Sequence, residues 1–401
     1  MEPLTFLCLA SYEKGHDFLR QAKRQGARVF LITSLSLKGA ARWPREAIDD
    51  IFYMPDQDKS WNRSDTLLAI SHLARSETIG RVVALDDFDL EMAASLREHL
   101  RVPGMGETTT RYFRDKLAMR MQAAEAGLNV PEFVHLLNDD KVREFTERVP
   151  PPWVLKPRLM AGAIGIQVLH SLDELHAADR ALGDQRSFFL LERYVAGDVC
   201  HVDSIVYENE IRFAVASQYG RPPLDVSHGG GIFTTRLLER GSSLAEALLA
   251  KNQRVLAAMG LLRGVSHTEF IHGSDGALYF LETSARVGGA HIAELVEAGT
   301  GLNLWAEWAK VEIAGGKQPY SPPTPANDYA ALLVSLARQE HPDTTAYSDP
   351  EVVWRMDRPH HVGMILKSPH AGRVAELLGQ YVERVQRDFA AVAPPRQMAA
   401  N

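Results

Sequence analysis

Short apolar runs alternate with stretches of helical periodicity over residues 1–103. Phe6-Leu7-Cys8-Leu9 predicts a strand, Asp17 to Gln25 a helix closed by Gly26, and Val29-Phe30-Leu31-Ile32 the next strand. A helix is expected from Ser64 to Arg75, with Ser64 as cap and Asp65 in its first turn. It is followed by a strand at Val82-Val83-Ala84-Leu85 and a helix from Asp89 to Leu100. This order implies a small parallel sheet with helices on its faces. Its first turn, Ser11-Tyr12-Glu13-Lys14-Gly15, lacks the G-x-G-x-x-G phosphate fingerprint.

Val102-Pro103-Gly104-Met105-Gly106 punctuates the chain, so a domain boundary belongs near residue 105. A helix is then expected from about Thr110 to Ala126, ended by Gly127 and Pro131. Strands and helices alternate to about residue 315, and Ser321-Pro322-Pro323-Thr324-Pro325 reads as a linker. The remainder holds apolar runs at Ala330 to Leu336 and Val362 to Leu366 and a helix from Arg373 to Phe389. The stretch from Ala393 to Asn401 is expected to fray. The fold class is α/β and α+β in three parts, 1–105, 106–320 and 326–401.

With 401 residues the chain has room for several cores, and 45% hydrophobic with 24% charged residues is an ordinary globular balance. A net charge of -7 offers no basic surplus to neutralise phosphates, which excludes a dedicated nucleic-acid binder. Cys8 and Cys200 are too few for a disulfide framework. The run Leu4 to Ala10 follows an acidic residue rather than a basic segment and reads as a strand, not a leader. No run approaches the roughly 18 apolar residues of a membrane span, so a cytoplasmic protein without a membrane partner is expected.

Three segments carry chemistry. In the first, the apolar run Trp153-Val154-Leu155 ends in Lys156, a loop with Gly162 and Gly165 follows, and a second run returns to Val168. Such a hairpin can lay backbone N–H groups and an ammonium against phosphates, and an ordinary hairpin with a solvent-facing lysine is the equal alternative. In the second, Phe188 to Asp203, a polar connection between two runs can offer a donor and an acceptor to an adenine edge. Alternation there puts Val199, His201 and Asp203 on one face, with His201 more simply a structural histidine.

In the third segment, the turn Gly273-Ser274-Asp275-Gly276 pairs its flanks as a hairpin and brings Glu269 close to Glu282. Alternation places Phe280, Glu282 and Ser284 on one face. A buried acidic pair is disfavoured unless a cation neutralises it, and hard oxygens suit Mg²⁺ bridged to nucleotide phosphates. The alternative, against which the apolar context speaks, is a pair of solvated edge glutamates.

In this order the segments resemble the ATP-grasp enzymes over roughly residues 110–300, and the preceding sheet resembles the Rossmann-like domain that stands before that fold. The resemblance implies a lid-like part at about 127–190 and a metal-binding part at about 191–320. It implies Lys116 and Lys156 as phosphate-binding lysines, with Gly162 and Gly165 in the loop between strands. Glu192, Arg193 and Val195 match the adenine-contacting connection, Glu269 and Glu282 the metal carboxylates, and Arg286 the arginine that orients the reacting groups. Ser284 stands where the family has an asparagine metal ligand. Val199 stands where it has a ribose-binding glutamate, so His201 is expected to take that role. Asp225 to Arg236 reads equally as a mobile loop over an anion, with His228 and Arg236 at hand, or as a plain connection. His291 is expected to face substrate or to cap a helix.

The implied chemistry is ATP-dependent activation of a carboxylate as an acyl phosphate and its capture by an amine, with ATP and Mg²⁺ (or Mn²⁺) as cofactors. Small-molecule carboxylate and amine substrates and a homodimer are expected. The alternatives are a carboxylase component that activates bicarbonate and a catalytically silent nucleotide-binding module.

Overall fold

A computed structural model describes residues 3–391, with only the backbone described at 227–229, so the terminal stretch expected to fray lies outside the described residues. The strands Thr5–Ala10, Arg28–Ser34, Asp50–Met54 and Arg81–Ala84 form a parallel sheet in which Thr5–Ala10 lies between Arg28–Ser34 and Arg81–Ala84. Every residue of Thr5–Ala10 is buried because both faces are covered. Phe6 and Cys8 pack with Phe18 and Leu19 of the helix His16–Arg24, while Leu7 and Leu9 pack with Ala93 and Leu96 of the helix Leu90–Leu100. The strand Asp50–Met54 was not anticipated. It is a part-exposed edge strand whose short run Ile51 to Met54 is set between Asp49-Asp50 and Pro55-Asp56.

Two further expectations change. Asn62, not Ser64, caps the helix Arg63–Leu73, its side chain accepting from the Asp65 amide at 3.0 Å. The expected helix over 110–126 is two helices, Glu107–Arg111 and Lys116–Glu125. Asp115 has extended backbone and accepts from the Leu117 amide at 3.0 Å, starting a new helix at Lys116.

A small antiparallel sheet runs in the order Phe133–His135, Phe189–Arg193, Trp153–Pro157, Gln167–Leu169, so the hairpin expected around Lys156 forms. It has its own core of Trp153, Leu155, Leu191, Phe145 and Leu175. An eight-stranded antiparallel sheet follows the order Leu278–Ser284, Arg263–Gly273, Gly197–Tyr207, Glu210–Tyr219, Phe233–Leu237, Tyr329–Leu336, His361–Ser368, Val352–Arg355. The C-terminal strands thus extend the same sheet as the glutamate hairpin, under the helix Ala371–Asp388. No helix among the described residues is long and apolar enough to cross a membrane.

Candidate active site

A cavity of about 370 Å³ opens where the three sheets converge, and Lys116, Lys156, Glu192, Glu269, Glu282 and Arg286 all line it. Lys116 enters at the first turn of its helix. Its Nζ donates to the Met160 carbonyl at 2.6 Å and lies 3.0 Å from Glu282 Oε2. Lys156, at the end of the strand Trp153–Pro157, reaches Glu192 Oε2 at 2.5 Å, and Arg120 Nε reaches Glu192 Oε1 at 2.7 Å. Burial lowers the Lys156 ammonium to about 8 against the opposing pull of Glu192. Burial would raise the Glu192 carboxyl, but Arg120 and Lys156 hold it below its ordinary value. Arg193, Tyr194 and Val195 line the same wall.

The expected carboxylate pairing is present: Glu269 and Glu282 are register partners on adjacent strands. The alternation around them is not as expected. Phe270 pairs with Phe280, which leaves Leu281 as the extra residue of a bulge. Phe280 therefore joins the core on one sheet face while Glu282 and Ser284 line the cavity on the other. Glu269 is held by the Tyr219 hydroxyl at 2.7 Å and by His267 Nε2 at 3.4 Å. Although burial pulls the His267 imidazole down, Asp203 and Glu269 bring it up to about 10, so this histidine is cationic near neutrality.

Arg286 is anchored by a residue that the sequence reading missed. Its Nε donates to Asp87 Oδ2 at 2.7 Å, Nη2 donates to the same oxygen, and Nη1 donates to the Val287 carbonyl at 2.8 Å. Ser284 Oγ donates to the other Asp87 oxygen, so its proton is committed while its lone pairs remain. Burial opposes ionisation of Asp87, but Arg286 and Arg114 keep its carboxyl well below the usual range. The available signal was the acidic run Asp86-Asp87-Phe88-Asp89 directly after a strand, at the carboxyl end of the parallel sheet.

Other expected residues are placed elsewhere. His201 shares the Asp203 face as foreseen, but it is wholly buried with both nitrogens engaged, Nδ1 to Asp203 at 2.7 Å and Nε2 to Thr235 Oγ1 at 2.8 Å. It cannot turn to a ribose without breaking both bonds, while Val199 does line the cavity. His201, Asp203 and His267 offer ligand atoms within 4.8 Å of one another, yet both imidazole Nδ1 atoms already meet the Asp203 oxygens. Arg236 lies on the sheet face opposite Thr235 and meets Gln218 Oε1 at 3.4 Å, outside the cavity lining. The segment around it is ordered as the helix Pro223–Gly229, with proline in its first turn, and the strand Phe233–Leu237. The His228 side chain lies outside the described residues. His291 precedes a helix without capping it, bonds Glu294 at 3.0 Å and packs on Trp354, again outside the lining. Gly162 lines the cavity, and both Gly162 and Gly165 have positive φ, 68° and 72°, which explains glycine at those two points.

No protein-family model matches the chain. In sequence it is 24% identical over 239 residues to the L-arginine-specific L-amino acid ligase of Bacillus subtilis, a match covering 58% of this chain and 57% of that protein. The chain thus spans little more than half the length of that curated relative. In structure it is similar to the L-amino acid ligase from Bacillus licheniformis, with a TM-score of 0.76 at 16% identity, covering 98% of this chain and 100% of that one. It is also similar to a carboxyaminoimidazole ribonucleotide synthase from Aspergillus clavatus solved in complex with ATP, with a TM-score of 0.73 at 14% identity, covering 96% and 99%. The small and the large antiparallel sheets around one cavity are the ATP-grasp fold, preceded by the parallel sheet, and this chain has that fold.

Proposed function

We propose that the protein is an ATP-dependent ligase that activates a small carboxylate as an acyl phosphate and joins it to an amine, giving an amide or peptide bond, ADP and phosphate. The observation that carries this reading is the registered pair Glu269 and Glu282 in one cavity with Lys116, Lys156 and Arg286. Both cysteines are buried, and burial raises their thiols, Cys200 to about 12, so neither is poised as a nucleophile. The likeness to amino acid ligases in sequence and in structure supports the same reading.

The donor set fits a divalent cation. Glu269 and Glu282 supply hard oxygens from opposed positions, and the Glu282 side chain is 32% exposed toward the cavity. These two residues, with Ser284 at the rim, would hold Mg²⁺ or Mn²⁺, which when bound screens phosphate charge. Lys116 and Lys156 bind phosphate oxygens, with Gly162 and Gly165 keeping the loop backbone close. Glu192, Arg193 and Val195 position the adenine, the small sheet of residues 133–193 serves as lid, and Arg286, fixed by Asp87, steadies the charge that develops on the transferring group. A substrate carboxylate oxygen attacks the γ-phosphorus and ADP leaves. The amine then attacks the acyl carbon, phosphate leaves, and the amine proton passes to solvent. The reading includes a cytoplasmic homodimer, as the composition and the resemblance imply.

The test is interception. Protein, Mg-ATP and pooled carboxylic acids are incubated with hydroxylamine, and hydroxamates formed together with ADP and phosphate are sought by mass spectrometry. A substrate that stimulates ADP release yet gives a stable phosphorylated alcohol or AMP, and no hydroxamate, sinks the ligase reading. Bicarbonate as the activated carboxylate is the second reading. It predicts ADP release stimulated by bicarbonate instead of an organic acid.

A further inference from the structure

Arg114 is 7% exposed and lines the cavity, and its Nε is buried with no hydrogen-bond partner among the described residues. Of the five lysines and arginines in that lining, four have a carboxylate within 4.0 Å: Lys116 has Glu282, Lys156 has Glu192, Arg193 has Glu132 and Arg286 has Asp87. Arg114 alone has none among the described residues. A guanidinium cannot escape burial by losing its proton, so an unmatched one is costly unless a ligand supplies the anion. Its visible compensation is the Phe88 ring, 5.0 Å away, and the more distant charge of Asp87, whose oxygens are already taken by Arg286 and Ser284.

Position indicates which anion. Phe88 follows the strand Arg81–Ala84 and packs against Tyr12 with ring centroids 5.4 Å apart, and Tyr12 follows the neighbouring strand Thr5–Ala10. The helices after these two strands pack in different cores, so the chain switches sides of the sheet here, where open parallel sheets take small ligands. Lys116, two residues on, instead reaches the Met160 carbonyl in the loop between the lid strands. The two cations thus serve opposite walls, Lys116 the proposed phosphate wall and Arg114 the crevice of the parallel sheet.

Resting on the ligase reading above, we propose that Arg114 binds a substrate carboxylate that is not consumed in the reaction, so that the amine substrate is itself an amino acid. The reacting carboxylate belongs beside Arg286. An amine partner held by its own carboxylate at Arg114 would yield a peptide carrying that carboxylate at its C-terminal end.

The experiment is calorimetric binding to the full chain. Wild type saturated with Mg-AMP-PNP is titrated with common L-amino acids and with their carboxamides. At least one acid is expected to bind about tenfold more tightly than its amide, as a charge-assisted pair predicts. In Arg114→Gln that preference should vanish while AMP-PNP affinity stays within about twofold. Arg114→Met, which keeps an unbranched apolar chain against Phe88, serves if the first variant does not fold. The proposal is overturned if wild type shows no preference for acid over amide, if the preference survives in a folded variant, or if the variant loses AMP-PNP but not ADP affinity, which assigns Arg114 to the γ-phosphate. Absence of any nucleotide binding by wild type sinks the ligase reading instead, so the two failures are distinguishable.

Discussion

Asp87 and Arg286 stand 199 positions apart in the chain, yet Asp87 Oδ2 accepts from Arg286 Nε at 2.7 Å, which ties the parallel sheet to the glutamate hairpin. Asp87→Asn removes the charge that orients the guanidinium, and turnover is expected to fall about 100-fold, the scale of losing one oriented group in a charge-stabilising site. Arg286 and Arg114 hold the Asp87 carboxyl below its unfolded value of about 3.9, so its stabilising contribution is fully present above that pH and lost as pH falls toward the folded value. Urea melts of both proteins should therefore differ more near neutrality than at about pH 3. Equal differences at the two pH values would show that the ion pair does not contribute.

Glu282→Gln keeps the shape of the side chain and removes one negative donor from the registered pair. Folding and most nucleotide affinity should persist while turnover is lost. Near-normal ATP turnover, with native circular dichroism, would eliminate Glu282 as a metal carboxylate.

Lys156 provides a pH signature. With its ammonium lowered by burial to about 8, the free protein loses this cation as pH rises through that value, and nucleotide affinity should weaken there. An arginine at this position stays charged, so Lys156→Arg should flatten the alkaline limb even if its affinity is lower overall. The check is the nucleotide dissociation constant measured across that range for both proteins; identical alkaline limbs would remove Lys156 from phosphate binding.

His201→Ala strips the partners from Asp203 Oδ2 and Thr235 Oγ1 in a fully buried network. The expected cost is about 1–3 kcal/mol of stability. Discrimination of ATP from its 2′-deoxy and 3′-deoxy analogues should be unchanged. A selective loss of that discrimination would restore His201 as a ribose contact.

What could be read from the chain followed the range of the interactions involved. The hairpin bearing Glu269 and Glu282 was legible because the turn Gly273 to Gly276 sets its pairing locally. The bulge at Leu281 was not, since Leu278 to Leu281 are apolar at every position and such a run does not reveal an extra residue. Nor was the break before Lys116, because Arg114 and Asp115 fit a continuous helix until the aspartate is seen capping a new one. Asp87 carried a local signal in its acidic run after a strand, but its pairing with Arg286, 199 positions on, did not. His201 was correctly placed on its strand face but assigned the wrong neighbour, because Thr235 belongs to a strand two places away in the sheet.

The continuity of the large sheet also bears on how far the chain can be shortened. Phe233 to Arg236 pair residue by residue with Ala331 to Val334, and Leu332 and Leu333 are fully buried. A chain cut at the proline-rich segment near residue 321 would expose a bare ladder edge beside an uncovered apolar floor. Such an edge is a template for joining another copy strand to strand. The C-terminal strands therefore act as a seal against self-association, and a truncated protein should be recovered as aggregate, not as a smaller nucleotide-binding unit.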